Sequence, residues 1–317
     1  MVRSTSLRSA LLLSILSFVP PFLFGQSSGA IKATSPAGVS YSKEGSRAEE
    51  SVARSLAKKE ADLRAALASQ PDSPSLLYEL ALVEREEDNP RASLDVYTHA
   101  AKFRKPTPQE LRSVALDYVL LNDYDDAIHW LEVAVSMDPS DTDVLYSLGR
   151  CYYSKNRFAE AGKMFARVLS IHPNDLKAEE NLGLVYDATN HPQEAEAALR
   201  KAATLADANG KDEWPFLDLG EFLLDHDRAQ EAVAPLRAAV RIGPESAAAH
   251  ERLGRALLAT QEISAGIAEL QESEKLDAKN PKVHFELGRA LRQAGRTEEA
   301  KKEFALSQQL YATHSEE

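Results

Sequence analysis

The chain has 317 residues, of which 44% are hydrophobic, 7% aromatic and 27% charged, and its formal net charge is -12. That acidic balance argues against nucleic acid and against anionic membrane surfaces as bulk partners, and a lone cysteine, Cys151, excludes an intramolecular disulfide. Length alone suggests two domains or so, and the apolar content suffices for a helical core.

Residues 1–25 carry Arg3 and Arg8, then a run from Ala10 to Phe24 that is almost wholly apolar, and end at Gly25. A charged start, an apolar middle and a small-residue exit predict a secretory signal peptide. Cleavage is expected near Gly25 or Ala30, which places the mature protein in the periplasm or outside the cell. The apolar run is shorter than the roughly 20 residues a spanning helix needs, and Pro20 and Pro21 interrupt it. No integral membrane span is therefore expected after cleavage, and loss of the two arginines takes the charge from -12 to -14.

Residues 26–46 are mostly Ser, Gly, Ala and Pro and predict a flexible linker, because such a segment buries too little to offset its ordering entropy. Residues 47–73 switch to a charged helix with Val52, Leu56, Leu63 and Leu67 as an apolar stripe, ended by Pro71. This helix is expected to cap the N-terminal end of the helical region.

From residue 74 the chain repeats itself. The clearest unit runs from Thr142 to Pro173, with apolar or small residues at Leu145, Leu148, Gly149, Tyr152, Ala161, Phe165 and Val168. Spacings of 3, 4, 7 and 8 within each half predict two amphipathic helices, with Asn156 and Arg157 at the turn between them. The pattern recurs as 74–107, 108–141, 142–175, 176–212, 213–246, 247–280 and 281–312, leaving 313–317 as a disordered tail. In each unit a leucine or valine with a small neighbour on the first helix faces a large residue on the second: Leu148-Gly149 with Phe165, Leu182-Gly183 with Leu199, Leu253-Gly254 with Leu270. A fixed period in this range marks a stacked array.

These residues resemble the tetratricopeptide repeat, whose pattern is W-x2-L-G-x2-Y, then A-x3-F, then P. The resemblance implies an all-α solenoid, a right-handed superhelix of about seven helix–turn–helix units, and a non-enzymatic scaffold that binds a peptide or protein segment in its concave groove. First-helix slots two, five, six, nine, twelve and thirteen line that groove in the family. Carried over, they place Tyr78, Arg112, Tyr146, Arg150, Tyr153, Asn181, Trp214, Arg255, Phe285, Arg289 and Arg292 inside it. Aromatics and arginines are the types that dominate interface hot spots. Two readings of the arginines stand side by side: a basic lane for an acidic ligand, or ordinary solvated helix pairs of Glu251 with Arg255 and Glu286 with Arg289. The lysine–asparagine clamp with which some members grip chaperone carboxylates is missing, since its slots hold Arg112 with Leu116, Tyr146 with Arg150, and Glu180 with Leu184.

No catalytic constellation, metal spacing or cofactor motif is legible. His250 and His284 recur at one repeat slot and are read as core residues; His191 with Glu194 is read as a helix cap; Asp138, Asp141 and Asp143 are read as caps at an inter-repeat turn. The step of 37 residues across 207–214 divides the array into four repeats plus three and is read as a longer turn that leaves stacking intact, with a hinge or altered groove at the joint as the alternative. Pro235 and Gly266 mark repeats five and six as the weakest. An alternative to the scaffold is self-association through the last helix, where Phe304, Leu306 and Leu310 have no following helix to cover them.

Overall fold

The computed structural model describes residues 43–210 and 212–314. The signal segment, nearly all of the linker and the last three residues lie outside this range. Fifteen α-helices and no strand occur among the described residues, so the fold is all-α, a solenoid of helix pairs. The chain divides into two units after Ile171.

The first unit holds α1 (Lys43–Ser69), α2 (Pro74–Glu86), α3 (Pro90–Ala100), α4 (Pro108–Leu120), α5 (Tyr124–Met137), α6 (Thr142–Ser154) and α7 (Phe158–Ile171). The second holds α8 (Leu176–Ala188), α9 (Pro192–Asn209), α10 (Trp214–Asp225), α11 (Ala229–Ile242), α12 (Ala247–Ala259), α13 (Ile263–Leu276), α14 (Pro281–Gln293) and α15 (Thr297–His314). Helix α1 starts four residues before the composition switch at Arg47, and α15 runs into the expected tail as far as His314.

Local chemistry sets the helix ends. Prolines open α2, α3, α4, α9 and α14, where a missing backbone donor costs nothing. Thr107 and Glu110 form a reciprocal capping box on α4. Asp141 accepts from the backbone N–H groups of Asp143 and Val144, as its reading as a cap requires. His191 sits at the N-cap of α9 without a side-chain cap bond, and its Nδ1 faces the Thr189 hydroxyl at 3.1 Å, which corrects the capping role expected for it.

Between the two helices of every pair one residue is left-handed: Asp88, Asn122, Asn156, Asn190, Asp227, Gln261 and Gly295. The next N–H then closes a bond back across the helix end, as in Arg157 N–H to the Tyr152 carbonyl at 2.8 Å. Asp, Asn and Gly tolerate this conformation, and Gln261 is the residue least suited to it.

Small against large packs each pair. A Cβ added to Gly149 would stand 2.7 Å from Phe165, and one added to Gly220 would stand 2.4 Å from Leu236. Neither position accepts a side chain while the large residue keeps its place. Gly266 has a packing role that helix propensity does not show. Its added Cβ would meet Leu258 at 2.8 Å and the Gly254 carbonyl at 3.0 Å, so this glycine is what lets α12 and α13 approach.

The long step is also resolved. Helix α9 has 18 residues against 14 in α11, and Gly210 ends it in the left-handed conformation. One core then runs without a break from Ala195 and Leu199 through Ala206, Phe216 and Leu217 to Leu253 and Leu257. Stacking therefore continues past 207–214, as the reading of a longer turn expects.

One polar pair is fully buried in the first unit. The Ser93 hydroxyl lies 2.8 Å from the Ala81 carbonyl and 2.6 Å from Asp117 Oδ2. Burial pushes the Asp117 carboxyl up to about 7, against the opposing pull of Ser93 and Arg85.

Candidate functional site

The first helices carry the candidate surface. In the first unit, Arg112, Leu116 and Val119 of α4, Tyr124 of α5, and Tyr146, Ser147, Arg150, Cys151 and Ser154 of α6 line a cavity of about 220 Å³. Arg112 Nε donates to the Ser147 hydroxyl at 2.9 Å, and that hydroxyl donates to the Asp143 carbonyl at 2.8 Å. The guanidinium is thus held in place by a neutral group. No acidic side chain is in the wall, and Arg150 is exposed with no ion pair among the described residues. Tyr146 packs its ring on Phe165 at 5.8 Å. Burial pushes the Cys151 thiol up to about 11, so this wall offers no thiolate nucleophile.

Two tyrosines expected in the groove behave differently. Tyr78 is only 4% exposed; its hydroxyl donates to the Arg104 carbonyl at 2.8 Å and the Arg104 guanidinium covers its ring at 4.4 Å. It is a packing residue and leaves the groove set. Tyr153 is half-buried, edge-on to Phe158 at 5.3 Å, and lies outside the cavity.

In the second unit a larger cavity of about 600 Å³ has an apolar floor of Leu224, Leu258, Ala259 and Ala290, with Arg255, Arg289, Arg292 and Glu286 around it. The arginines are not equivalent. Arg255 Nη1 donates to both carboxylate oxygens of Glu221, at 2.9 and 3.0 Å, while Glu251 stands at 3.7 Å. The expected pairing with Glu251 is thus present, and a closer partner on the preceding first helix adds to it. Glu251 itself is buried and is held by Lys282 at 3.0 Å. Arg252 reaches Glu221 at 3.4 Å and Asp218 at 3.9 Å. Carboxylates of α10 and α12 thus neutralise Arg252, Arg255 and Lys282, and this part of the expected basic lane is internally paired. Burial pushes the Asp218 carboxyl up to about 6 in spite of Arg252.

Further along α14 the pairing thins. Arg289 is exposed and reaches Glu286 at 3.2 Å, the pairing expected for it. Arg292 makes no ion pair among the described residues, and its guanidinium stands 5.5 Å from the centre of the Phe304 ring. Phe285, 45% exposed, packs on that ring at 5.7 Å. Trp214 is half-exposed at the start of α10, and Asn181 turns its amide back to the Lys177 carbonyl at 2.8 Å. The structure thus brings Arg112, Tyr146 and Arg150 together in one unit and Arg255, Arg289 and Arg292 in the other.

Among the described residues, two groups of side chains could hold a cation: Glu60 with Glu84 and Glu87, and Glu274 with His284 and Glu303. Arg64 already fills the first, bonding Glu60 at 2.6 Å and Glu84 at 2.5 Å. Sequence spacing hides both groups, because each draws side chains from different helices.

Models of the tetratricopeptide repeat match residues 118–178, 180–209, 217–281 and 251–313. The chain belongs to the tetratricopeptide repeat family. Anaphase-promoting complex subunit CDC16 of Saccharomyces cerevisiae is 24% identical over 182 residues, covering 55% of this chain. The chain spans only 21% of that relative's length. A tetratricopeptide repeat protein from Parabacteroides merdae superposes with a TM-score of 0.60 at 17% identity, covering 78% of this chain and 96% of that one. PilW, a type IV pilus biogenesis factor, gives 0.58 at 19% identity over 65% and 94%. A chain of the APC/C hetero-tetramer Cut9–Hcn1 gives 0.58 at 13% over 80% and 50%. At these identities the likeness is one of fold.

Proposed function

We propose that this tetratricopeptide repeat protein is an exported, non-enzymatic scaffold that holds an acidic peptide or protein segment on the first-helix face of its repeats. The observation that carries the reading is the cavity of Arg112, Tyr146 and Arg150, which has two guanidinium groups, aromatic walls and no carboxylate. A site lined by uncompensated arginine attracts carboxylates through charge-assisted bonds, and the aromatic walls supply apolar area at low entropic cost. Arg292, also without an ion pair, extends the same chemistry to the second unit. Family membership and the likeness to subunits of assemblies agree with a protein partner.

The test is fluorescence anisotropy of acidic and neutral peptides against the full chain. Acidic peptides are expected to bind, and Arg112→Glu with Arg150→Glu should weaken them at least tenfold; equal binding by the double variant would remove the site from this face. Export is tested separately. Protein purified from its source should begin near Gly25 or Ala30, and a chain that begins at Met1 and fractionates with cytosol would refute it.

A second reading rests on the exposed apolar residues of the last pair, Leu306 at 37% and Tyr311 at 55%. Self-association through α15 would bury them. Light scattering across a concentration series distinguishes the two, since the scaffold stays monomeric without its ligand.

A further inference from the structure

We infer that Glu274, His284 and Glu303 form a binding site for a divalent transition-metal ion, with zinc the best-suited occupant. The three side chains come from α13, α14 and α15, and their ligand atoms all lie within 4.8 Å of one another. His284 Nδ1 is 2.8 Å from Glu303 Oε2 and 3.9 Å from Glu274 Oε1. Four-coordinate zinc with bonds of about 2.0–2.2 Å separates its ligand atoms by about 3.4 Å, a spacing these two distances bracket.

The imidazole is oriented for the task. His284 is 1% exposed, and its Nε2 faces the Ala278 carbonyl at 3.0 Å. A ring nitrogen that donates to a backbone carbonyl leaves the other nitrogen's lone pair for a metal, the usual outer support of a histidine ligand. One imidazole, two carboxylates and room for water on the exposed side of Glu274 match a labile zinc site better than a magnesium or calcium site, which favours oxygen alone.

The repeat one period earlier supplies a natural control. There His250 Nδ1 stands 2.6 Å from Glu269 and its Nε2 stands 3.0 Å from the Pro244 carbonyl, the same clamp displaced by 34 residues. Val240 occupies the place of Glu274. In the earlier repeat the imidazole meets a single carboxylate. The last repeat adds a second carboxylate: Glu274 makes no hydrogen bond among the described residues, and His284 at 3.9 Å is its only ion-pair partner there. Its excess negative charge is what a cation would neutralise.

Titration calorimetry of the metal-free full chain with zinc chloride tests the site. One equivalent is expected to bind, and Glu274→Gln should weaken it at least tenfold while Glu269→Gln, in the earlier clamp, leaves it unchanged. Imidazole nitrogen NMR of the unaltered protein is independent of any variant: zinc should shift the His284 resonances and spare those of His250. Affinity unchanged by Glu274→Gln, or zinc shifting both histidines or neither, would overturn the assignment.

Discussion

Phe165 shows what one side chain contributes. It is fully buried, fills the hollow left by Gly149, and meets Tyr146 of the cavity wall at 5.8 Å. Truncating such a residue forfeits its transfer free energy and leaves a void, so Phe165→Ala should cost about 3–5 kcal/mol in chemical denaturation. Gly266→Ala is a sharper case. Helix propensity alone favours alanine by about 1 kcal/mol, yet the added methyl meets a backbone carbonyl that has nowhere to go. The expected outcome is net destabilisation of about 1–3 kcal/mol; a higher melting temperature would show that α12 and α13 part without cost. Gln261 has the opposite prospect. A left-handed non-glycine residue carries strain of about 1–2 kcal/mol, so Gln261→Gly should raise stability by about 0.5–1 kcal/mol, allowing for the freer unfolded chain.

At the scale of the element, the pairs of helices were legible in the sequence because each one carries its own small-and-large code. The residues Leu148, Gly149 and Phe165 announce both helices and their crossing. The left-handed positions were as regular and could have been found by following Asp, Asn and Gly at the same period. What stayed hidden was chemistry shared between pairs. Glu221 and Arg255 lie 34 residues apart on neighbouring first helices, so a search at four-residue spacing finds Glu251 and misses the closer partner. Tyr78 was misplaced for a similar reason: the slot faces the groove in the family, but here the irregular turn after α3 brings Arg104 over its ring. Glu274, His284 and Glu303 belong to three helices and have no linear motif at all. Pro235 remains an element-scale weakness. Helix α11 runs through it from Ala229 to Ile242 without the backbone donor that residue should supply, and Pro235→Ala should stabilise the protein by about 1–2 kcal/mol.

At the scale of the whole molecule, two carboxyls raised by burial contribute a pH dependence. Asp117 and Asp218 both titrate higher when folded, at about 7 and about 6, than the ordinary value of 3.8, and burial is the main cause in each. The folded state then binds more protons than the unfolded state between these values, so this contribution is complete below 3.8 and is lost as pH rises through 6 and 7. Glu196 has the opposite sign. Arg228 and Arg200 hold it down to about 2, so its contribution is constant above the ordinary carboxylate range. The melting temperature is therefore expected to fall between pH 5 and pH 8. Asp117→Asn, which fixes the neutral form, should flatten that fall and raise stability at pH 8; a profile that is unchanged would show that Asp117 ionises freely in place.

The extended α9 bears on how such arrays change length. Three added residues in the period emerge as one more turn on a second helix, and the core beneath passes over them without a seam. First helices on either side keep their register. Growth of this kind leaves the first helices untouched, so lengthening another second helix by a turn should keep the helical content and the cooperativity of thermal unfolding.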